Sequence, residues 1–315
     1  MSNKPELLLV NSFDAETVEK LDSLYNTHHL WELSTAQQRK LIESLEGRCT
    51  AAATGSWACD DIIYELDSLQ MISCFGVGVD AIRFDITSAR QIRVTNTPEV
   101  LNDSVADIAL ALILNTALQI GVADRFVREQ SWQQGPFPLG NCLAGKTLGI
   151  VGLGRIGEAV VHRALPFGLK VAYHNRTPKN LPYTYYPSLE ELATASDILL
   201  CLLPGGESTR KIIDGSVFKK LGPQGFFINV GRGTSVDEQA LAEALHSGQI
   251  AGAGLDVYEN EPNIPESLLQ AGNLVLLPHI GSATIEARHA MGNLLIKNLD
   301  AYFANEPLLS EVKKN

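Results

Sequence analysis

Three polar residues in the second half of the sequence could together carry out acid–base chemistry on a carbonyl group. They are Arg232, Glu261 and His279, and each follows a short apolar run. An arginine presents a rigid fork of donors that suits a carboxylate or a keto oxygen. A histidine titrates near neutral pH and can deliver a proton, and a neighbouring carboxylate favours its charged form. If the apolar runs are strands of one parallel sheet, their carboxyl ends bring the three side chains to one edge.

Each of these side chains, taken alone, also has a structural interpretation. Arg232 could be a loop cation that pairs with Asp256 or Asp237. Glu261 could form a solvated acidic patch with Glu259, and the histidine could be a structural residue with all its hydrogen bonds satisfied. The catalytic interpretation therefore rests on the three residues occurring together.

A glycine-rich turn is the second chemical feature. Gly152, Gly154 and Gly157 form the pattern G-x-G-x-x-G between the predicted strand Thr147–Val151 and a helix that runs to about Phe167. The first glycine permits a tight turn, the second lets the backbone approach a pyrophosphate, and the third lets helix and strand pack closely. The helix N terminus then offers N–H groups to the phosphates. The sequence predicts a dinucleotide site formed by Gly152, Gly154, Arg155, Ile156 and Gly157.

The residues after the next predicted strand indicate which dinucleotide binds. Sites for NAD usually place an acidic residue here on the ribose 2′-hydroxyl, whereas this sequence has Asn175, Arg176 and Thr177. Arg176 can pair with a 2′-phosphate, and its two neighbours can add hydrogen bonds. We therefore expect NADP(H) to be preferred, with NAD(H) possible. In the alternative, Arg176 is a solvated loop cation and Asn175 contacts the adenosine ribose of NAD.

Short apolar runs alternate with helical patterns along almost the whole chain. The first series of predicted strands is Leu7–Val10, His28–Leu33, Cys49–Thr54 and Met71–Phe75. The second series is Thr147–Val151, Lys170–Asn175, Asp197–Leu203, Phe226–Val230, Gly252–Val257 and Leu274–Leu277. Continuous apolar strands separated by helices are typical of parallel sheets covered on both faces. The predicted fold class is α/β, with two doubly wound parallel-sheet domains, one Rossmann-type and one flavodoxin-like.

Helical patterns connect these strands. The predicted helices are Asp14–Tyr25, Thr35–Glu46, Cys59–Leu66, about Asp103 to Arg128, and Thr284–Phe303. Capping boxes are predicted for the pairs Thr35 with Gln38 and Ser188 with Glu191.

The domain boundary is predicted near Pro98, because a proline disfavours helix in the preceding residue. The last helix has no strand after it and could fold back onto the first domain. We therefore expect a substrate domain of residues 1–98 with 285–315 and a dinucleotide-binding domain of residues 99–284.

Composition excludes several classes of function. The 315 residues include 45% hydrophobic and 19% charged residues, which is a globular composition. The net charge of −11 argues against a nucleic-acid partner, since phosphate backbones are bound by clustered Lys and Arg. The most apolar run, Ile108 to Ala123, is interrupted by polar residues and predicts a buried helix rather than a membrane span. Five widely spaced cysteines with no C-x-x-C indicate no metal site, and with no signal peptide evident we expect a cytoplasmic protein.

Taken together, the motifs resemble the D-isomer-specific 2-hydroxyacid dehydrogenase family over essentially the full length. Besides the glycine turn, the shared segments are Gly76-Val77-Gly78-Val79-Asp80, Asn96-Thr97-Pro98, Val105-Ala106-Asp107, Asn229-Val230-Gly231-Arg232-Gly233, Leu255-Asp256-Val257, Glu261-Pro262 and Pro278-His279. The resemblance implies a homodimer, with the active site in the cleft between the two domains.

The resemblance also implies roles for particular residues. Arg232, Glu261 and His279 would form the catalytic set, with His279 as proton donor to the keto oxygen as hydride arrives. Asp256 matches the aspartate that binds the cofactor amide, and the backbone of Val77 and Gly78 matches the part that holds the substrate carboxylate.

The substrate side chain is set by residues outside the second domain. Trp57 could narrow the pocket toward small acids, stack on an aromatic substrate, or only pack between elements. The segment 128–140 looks like a dimer arm, so that Trp132 or Phe137 could reach the neighbouring subunit's site or only seal the contact. The branch that this arm and the residues at 175–177 resemble most is the NADPH-linked glyoxylate/hydroxypyruvate reductases. A hydroxyphenylpyruvate reductase is the alternative, and a cofactor-sensing corepressor-like binding protein is a remote one.

Overall fold

The computed structural model describes residues 4–56 and 58–312, so Trp57 lies outside the described residues. The chain divides into two compact units. Unit 1 is Met1–Leu101 with Thr284–Asn315, and unit 2 is Asn102–Ala283. The predicted breaks stand within three residues of these positions, at 98/99 and 284/285.

Unit 1 is built on a five-stranded parallel sheet. Its strands are β1 (Glu6–Leu9), β2 (Asn26–His29), β3 (Ala51–Gly55), β4 (Met71–Phe75) and β5 (Arg93–Thr95). Its first helices are α1 (Ala15–Leu24), α2 (Thr35–Leu45) and α3 (Phe84–Ala89). The strand order is β2-β1-β3-β4-β5, which is the flavodoxin-like order. Every residue of β3 and β4 is buried, which explains why their sequences are mostly apolar.

Several predicted elements of unit 1 were wrong in detail. The strand predicted at His28–Leu33 lies instead at Asn26–His29, and Leu30–Glu32 forms a 3-10 helix. The segment predicted as an α-helix at Cys59–Leu66 is a 3-10 helix at Asp61–Glu65. Asp60 caps it by accepting a hydrogen bond from the Ile62 amide at 3.0 Å.

The capping box of α2 lies one residue earlier than predicted. The Ser34 amide donates to Gln37 Oε1 at 3.0 Å, so the pair is Ser34 with Gln37 rather than Thr35 with Gln38. Ser34 has the extended backbone that an N-cap requires, whereas Thr35 is already helical. The cap predicted at Ser188 is present, and its hydroxyl accepts from the Glu191 amide at 3.2 Å.

Unit 2 is built on a seven-stranded parallel sheet. Its strands are β6 (Thr147–Val151), β7 (Lys170–His174), β8 (Thr184–Tyr185), β9 (Ile198–Cys201), β10 (Phe226–Asn229), β11 (Gly252–Leu255) and β12 (Leu274–Leu276). They are ordered β8-β7-β6-β9-β10-β11-β12, the Rossmann order with one strand added. In the register, Asn229 is opposite Leu255, and Leu255 is opposite Leu276. The carboxyl ends of β10, β11 and β12 therefore lie side by side.

The α-helices of unit 2 lie before and between these strands. They are α4 (Asn102–Leu118), α5 (Ile120–Arg128), α6 (Arg155–Ala164), α7 (Leu189–Thr194), α8 (Gly215–Leu221), α9 (Glu238–His246) and α10 (Glu266–Leu269). The last helix, α11 (Ile285–Phe303), belongs to unit 1.

The single helix predicted from Asp103 to Arg128 is instead two helices. Gln119 adopts a left-handed φ of 56°, and α4 and α5 meet at a bend of 59°. A left-handed residue cannot continue a right-handed helix, so the bend follows from this one position. Among residues 4–56 and 58–312, no single helix is long and apolar enough to span a bilayer. The pair α4 and α5 meets that criterion only when taken together, by length and composition.

Candidate active site

Arg232 lies in a tight turn that β10 leads into. Asn229 is almost fully buried, and its side chain accepts a hydrogen bond from the Gly231 amide at 3.0 Å and donates to the Arg232 carbonyl at 3.0 Å. The Ser235 hydroxyl also donates to that carbonyl, at 2.6 Å. Three hydrogen bonds thus fix the backbone of the turn that carries the guanidinium.

Glu261 and His279 form a hydrogen-bonded pair at the adjacent strand ends. His279 Nδ1 lies 2.7 Å from Glu261 Oε2, and Glu261 Oε1 accepts a hydrogen bond from the Tyr258 amide at 3.0 Å. The histidine side chain is 39% exposed and the glutamate side chain 31% exposed. Because the carboxylate accepts from Nδ1, the charged ring would present its second proton on Nε2 to a ligand.

The charge of Arg232 acts on the Glu261 carboxylate, in keeping with the side-by-side ends of β10, β11 and β12. Burial pushes this pKa upward, but hydrogen bonds from His279 and the Tyr258 amide and the charges of His279 and Arg232 hold it below its usual value. Glu261 is therefore a carboxylate at neutral pH. The structure brings the three predicted catalytic residues together on unit 2.

Asp256 holds the turn that carries His279 through two hydrogen bonds. His279 has a left-handed φ of 53°, which a non-glycine residue adopts only when its surroundings enforce it. Asp256 is 1% exposed, and its two oxygens accept from the Ile280 and Gly281 amides at 2.7 and 2.8 Å. The prediction made Asp256 a ligand of the cofactor amide. Its contacts in the structure hold the histidine turn, and its contact with the cofactor amide stays a prediction.

Two further residues that the sequence analysis missed position Glu261. The Tyr258 hydroxyl donates to the Leu277 carbonyl at 2.8 Å, which ties the loop after β11 to the strand end before His279. Glu238 is 6% exposed, and its carboxylate accepts from the Glu259 amide at 2.7 Å. The signal for Glu238 was its spacing from Leu241 and Leu245, which places a carboxylate on the buried face of α9.

We expect Glu238→Gln to stabilise the protein at neutral and alkaline pH. Burial raises the pKa of Glu238 above its usual 4.5. The hydrogen bond from the Glu259 amide lowers this pKa, and the charge of Glu259 raises it. A raised pKa means that stability is greatest when the group is protonated and falls as pH rises through the folded-state pKa. Glutamine keeps an acceptor for the Glu259 amide but never ionises.

Thermal unfolding of both proteins across pH measures this effect. The Tm of Glu238→Gln should equal or exceed that of the parent at neutral pH, and the two should converge toward pH 4.5. A variant that is less stable at every pH would show that the ionised carboxylate is a required hydrogen-bond partner.

The glycine turn has the geometry of a pyrophosphate-binding turn. Gly152 has a φ of 91°, and α6 begins at Arg155 directly after the N-cap Gly154. A Cβ on Gly154 would meet nothing within 4 Å, so the backbone is open to a ligand there. A Cβ on Gly157 would lie 2.8 Å from the end of the Leu153 side chain, which would have to move to make room for it. Ile156 is half-buried in the first turn of the helix.

Asn175 supports the glycine turn, and its contact with the cofactor stays a prediction. Its side-chain amide accepts from the Leu153 amide at 2.7 Å and donates to the Leu153 carbonyl at 3.1 Å, which braces the glycine turn. Arg176 and Thr177 are exposed just beyond β7. Within the described part of the chain, the Arg176 guanidinium has no ion-pair partner. A cation at this position is available for a phosphate group.

In unit 1 the predicted carboxylate-binding backbone follows β4. Gly76 has a φ of 139°, and its amide donates to Thr97 Oγ1 at 2.9 Å. The Val77 carbonyl accepts from Asn96 Nδ2 at 2.8 Å. Among the hydrogen bonds of the described residues, the Val77 and Gly78 amides donate to no protein group. Two free amides beside a fixed turn form a suitable anion cradle.

The remaining predicted features lie elsewhere on unit 2. Trp132 is 68% exposed, and the Phe137 ring packs edge-on against Phe126 at 5.3 Å. Within residues 4–56 and 58–312, no group of three or more His, Cys, Asp or Glu side chains is placed to hold a metal ion.

Comparison with known proteins decides the family. Residues 110–281, more than half of the chain, match the model for the D-isomer specific 2-hydroxyacid dehydrogenase NAD binding domain. The chain belongs to this family. The predicted family and fold class are thereby confirmed, and unit 2 contains the NAD-binding domain.

Relatives within the D-2-hydroxyacid dehydrogenase family cover nearly the whole chain. A glyoxylate/hydroxypyruvate reductase A of Arabidopsis thaliana is 42% identical, over 93% of this chain and 94% of that one. A hydroxyphenylpyruvate reductase of Plectranthus scutellarioides is 41% identical over the same shares of the two chains. The structure of an NADPH-dependent glyoxylate/hydroxypyruvate reductase from Sinorhizobium meliloti, in complex with NADP and malonate, is 40% identical. It superposes with a TM-score of 0.89, covering 98% of this chain and 97% of that one.

Proposed function

We propose that this protein reduces a small 2-oxo acid, glyoxylate or hydroxypyruvate, to the D-2-hydroxy acid with NADPH. The observation that carries the proposal is the pair of His279 Nδ1 and Glu261 Oε2 at 2.7 Å, with the charge of Arg232 acting on the same carboxylate. A proton donor, a group that keeps it charged and a cation for the carbonyl oxygen are what carbonyl reduction requires. Both the Arabidopsis relative and the Sinorhizobium structure carry this activity in their names.

The cofactor would bind along the glycine turn. Gly152, Gly154 and the start of α6 would hold the pyrophosphate, because the backbone is open at Gly154 and helix N termini attract phosphate. A bound NADPH would supply a hydride. Asp256 and Asn175 would hold the histidine turn and the glycine turn in place, in addition to the cofactor contacts predicted for them.

The chain's own residues would handle the oxygen and the proton. Arg232 would bind the keto oxygen and the carboxylate of the substrate and stabilise the negative charge that develops on that oxygen. His279 would hydrogen-bond the same oxygen and transfer its Nε2 proton to it. Glu261 would remain a carboxylate and stabilise the charged ring before transfer. The free amides of Val77 and Gly78 would bind the substrate carboxylate.

Arg176→Ala tests the cofactor preference. Arg176 is expected to pair with the 2′-phosphate of NADPH, and hydrogen bonds to charged groups contribute about 1.5–3 kcal/mol. The ratio of kcat/KM for NADPH over NADH should therefore fall by roughly 10- to 100-fold, mainly through the KM for NADPH. Arg163→Ala is a suitable comparison, because that arginine pairs with Asp103 and Asp107 away from this strand end. An unchanged ratio in Arg176→Ala would contradict the role given to Arg176.

Steady-state kinetics with several acids tests the whole proposal. NADPH oxidation should be fastest, by kcat/KM, with glyoxylate or hydroxypyruvate. A preference for hydroxyphenylpyruvate or phenylpyruvate would favour the alternative that the Plectranthus relative represents. No consumption with any 2-oxo acid would reject the enzyme and favour a cofactor-sensing binding protein.

We further propose that the protein is a homodimer. Four exposed apolar side chains lie in α5 and the arm that follows, and patches of exposed apolar surface mark interaction surfaces. They are Ile120, Val127, Trp132 and Leu139. Sedimentation at micromolar concentration should give about twice the chain mass, and a monomer would reject the dimer.

A further inference from the structure

Arg288 is a half-buried cation for which the proposed mechanism has no use. It lies in the second turn of α11, and its Cζ sits 5.6 Å from the centre of the Phe75 ring. The Phe13 ring packs against the other ring at 5.0 Å between centroids, so the platform under the guanidinium is itself held in place. All three residues belong to unit 1.

The guanidinium lacks the partners that a partly buried charge normally has. Among the described residues, no carboxylate forms an ion pair with Arg288, and no acceptor hydrogen-bonds its side chain. Asp14 is near enough for its charge to act on Arg288, but both Asp14 oxygens accept hydrogen bonds from Thr17, at 3.0 and 2.8 Å. Burial lowers the pKa of Arg288. Partly buried charges in proteins are usually paired, so an unpaired one indicates a missing ligand.

The position of Arg288 relates it to the anion cradle of unit 1. Phe75 is the last residue of β4, and Gly76, Val77 and Gly78 follow it. The Val77 and Gly78 amides have no acceptor among residues 4–56 and 58–312. The two amides can hold the carboxylate that every 2-oxo acid carries. The guanidinium lies against Phe75, the residue that leads into this cradle, and it offers a fork of donors in addition to the two amides.

We propose that Arg288 is a specificity-determining residue that binds a hydroxyl or carboxylate on carbon 3 of the substrate. This inference rests on the proposed function and concerns which 2-oxo acids the enzyme prefers. Hydroxypyruvate has a hydroxyl on carbon 3, whereas pyruvate differs only by lacking it. A buried donor that finds an acceptor in one substrate and none in the other discriminates strongly between them. An apolar substituent would leave the guanidinium desolvated and unpaired.

The test compares hydroxypyruvate with pyruvate in the full-length enzyme. The parent should prefer hydroxypyruvate by roughly 10- to 100-fold in kcat/KM, the range expected for a hydrogen bond to a charged group. In Arg288→Met, which keeps the stem on Phe75, the two substrates should differ by less than about threefold. Arg288→Lys, which retains the charge, should recover part of the preference. Lys297→Met removes an exposed cation from the same helix and should leave the ratio unchanged.

The outcomes separate the two proposals. If the parent consumes NADPH with no 2-oxo acid, the proposed function fails. If the parent turns over both substrates equally, or if Arg288→Met lowers both by the same factor, the function stands and the role of Arg288 on carbon 3 is rejected. Should Arg288→Met fail to fold, Arg288→Gln provides the neutral variant, and the preference of the parent already tests the inference without any variant.

Discussion

His279→Asn is expected to lower kcat/KM for the 2-oxo acid by roughly 10²- to 10⁴-fold, the usual contribution of a positioned general acid. Asparagine is the suitable replacement because His279 has a φ of 53°, and asparagine adopts left-handed backbone more readily than most residues. The substitution removes the Nε2 proton without straining the backbone of the turn that Asp256 holds. Stopped-flow and steady-state measurement of NADPH oxidation at neutral pH provides the rate.

Binding of NADPH serves as the control for this variant. The Kd for NADPH, measured by the fluorescence of the reduced ring, should change by less than about threefold, because the glycine turn lies on a different strand end. Thermal unfolding should also be near that of the parent. A variant with near-normal turnover would show that the substrate oxygen takes its proton from another source.

Most of the fold could be predicted because buried parallel strands have a distinct sequence pattern. β4 and β6 were predicted to the residue, since each is a short apolar run bounded by polar or glycine residues. Doubly wound topology followed from the alternation of strands and helices. β5 and β8 were missed because β5 is three residues of mixed polarity and β8 is two residues, so neither forms an apolar run like that of β12. The break at Gln119 has no local signal, since glutamine is an ordinary helix residue.

The candidate site divides in the same way. Arg232, Glu261 and His279 could be found because each follows its own strand, and the topology places those strands side by side. The contacts that support these three residues could not be predicted from the sequence. That the Glu238 carboxylate meets the Glu259 amide, or that Arg288 lies on Phe75, depends on packing between segments far apart in the sequence. Groups able to do chemistry can be recognised from residue type and spacing, whereas the residues that position them are visible only in three dimensions.

Gly233 shows how tightly the two halves of this site are packed, and Gly233→Ala is expected to lower kcat by roughly 10²-fold or more. A Cβ added at Gly233 would overlap the peptide between Tyr258 and Glu259. That peptide belongs to the loop whose Tyr258 amide holds Glu261. Alanine would push this loop away from the turn that carries Arg232. Glu261 would then move out of hydrogen-bond distance of His279 Nδ1. Misplacing a catalytic group by about 1 Å typically costs 10²-fold.

Stability and a matched glycine separate this displacement from general unfolding. Overpacking of this kind should lower the free energy of unfolding by about 1–3 kcal/mol, so the variant should still fold and bind NADPH. Gly272→Ala is the control, because a Cβ there meets nothing within 4 Å, and it should leave both kcat and Tm unchanged. If Gly233→Ala kept its kcat while losing stability, the loop could shift without moving Glu261. The close contact between the two turns would then serve folding alone. If kcat falls while NADPH still binds, Gly233 is needed because a larger residue would keep the turn that carries Arg232 from packing against the loop that carries Glu261.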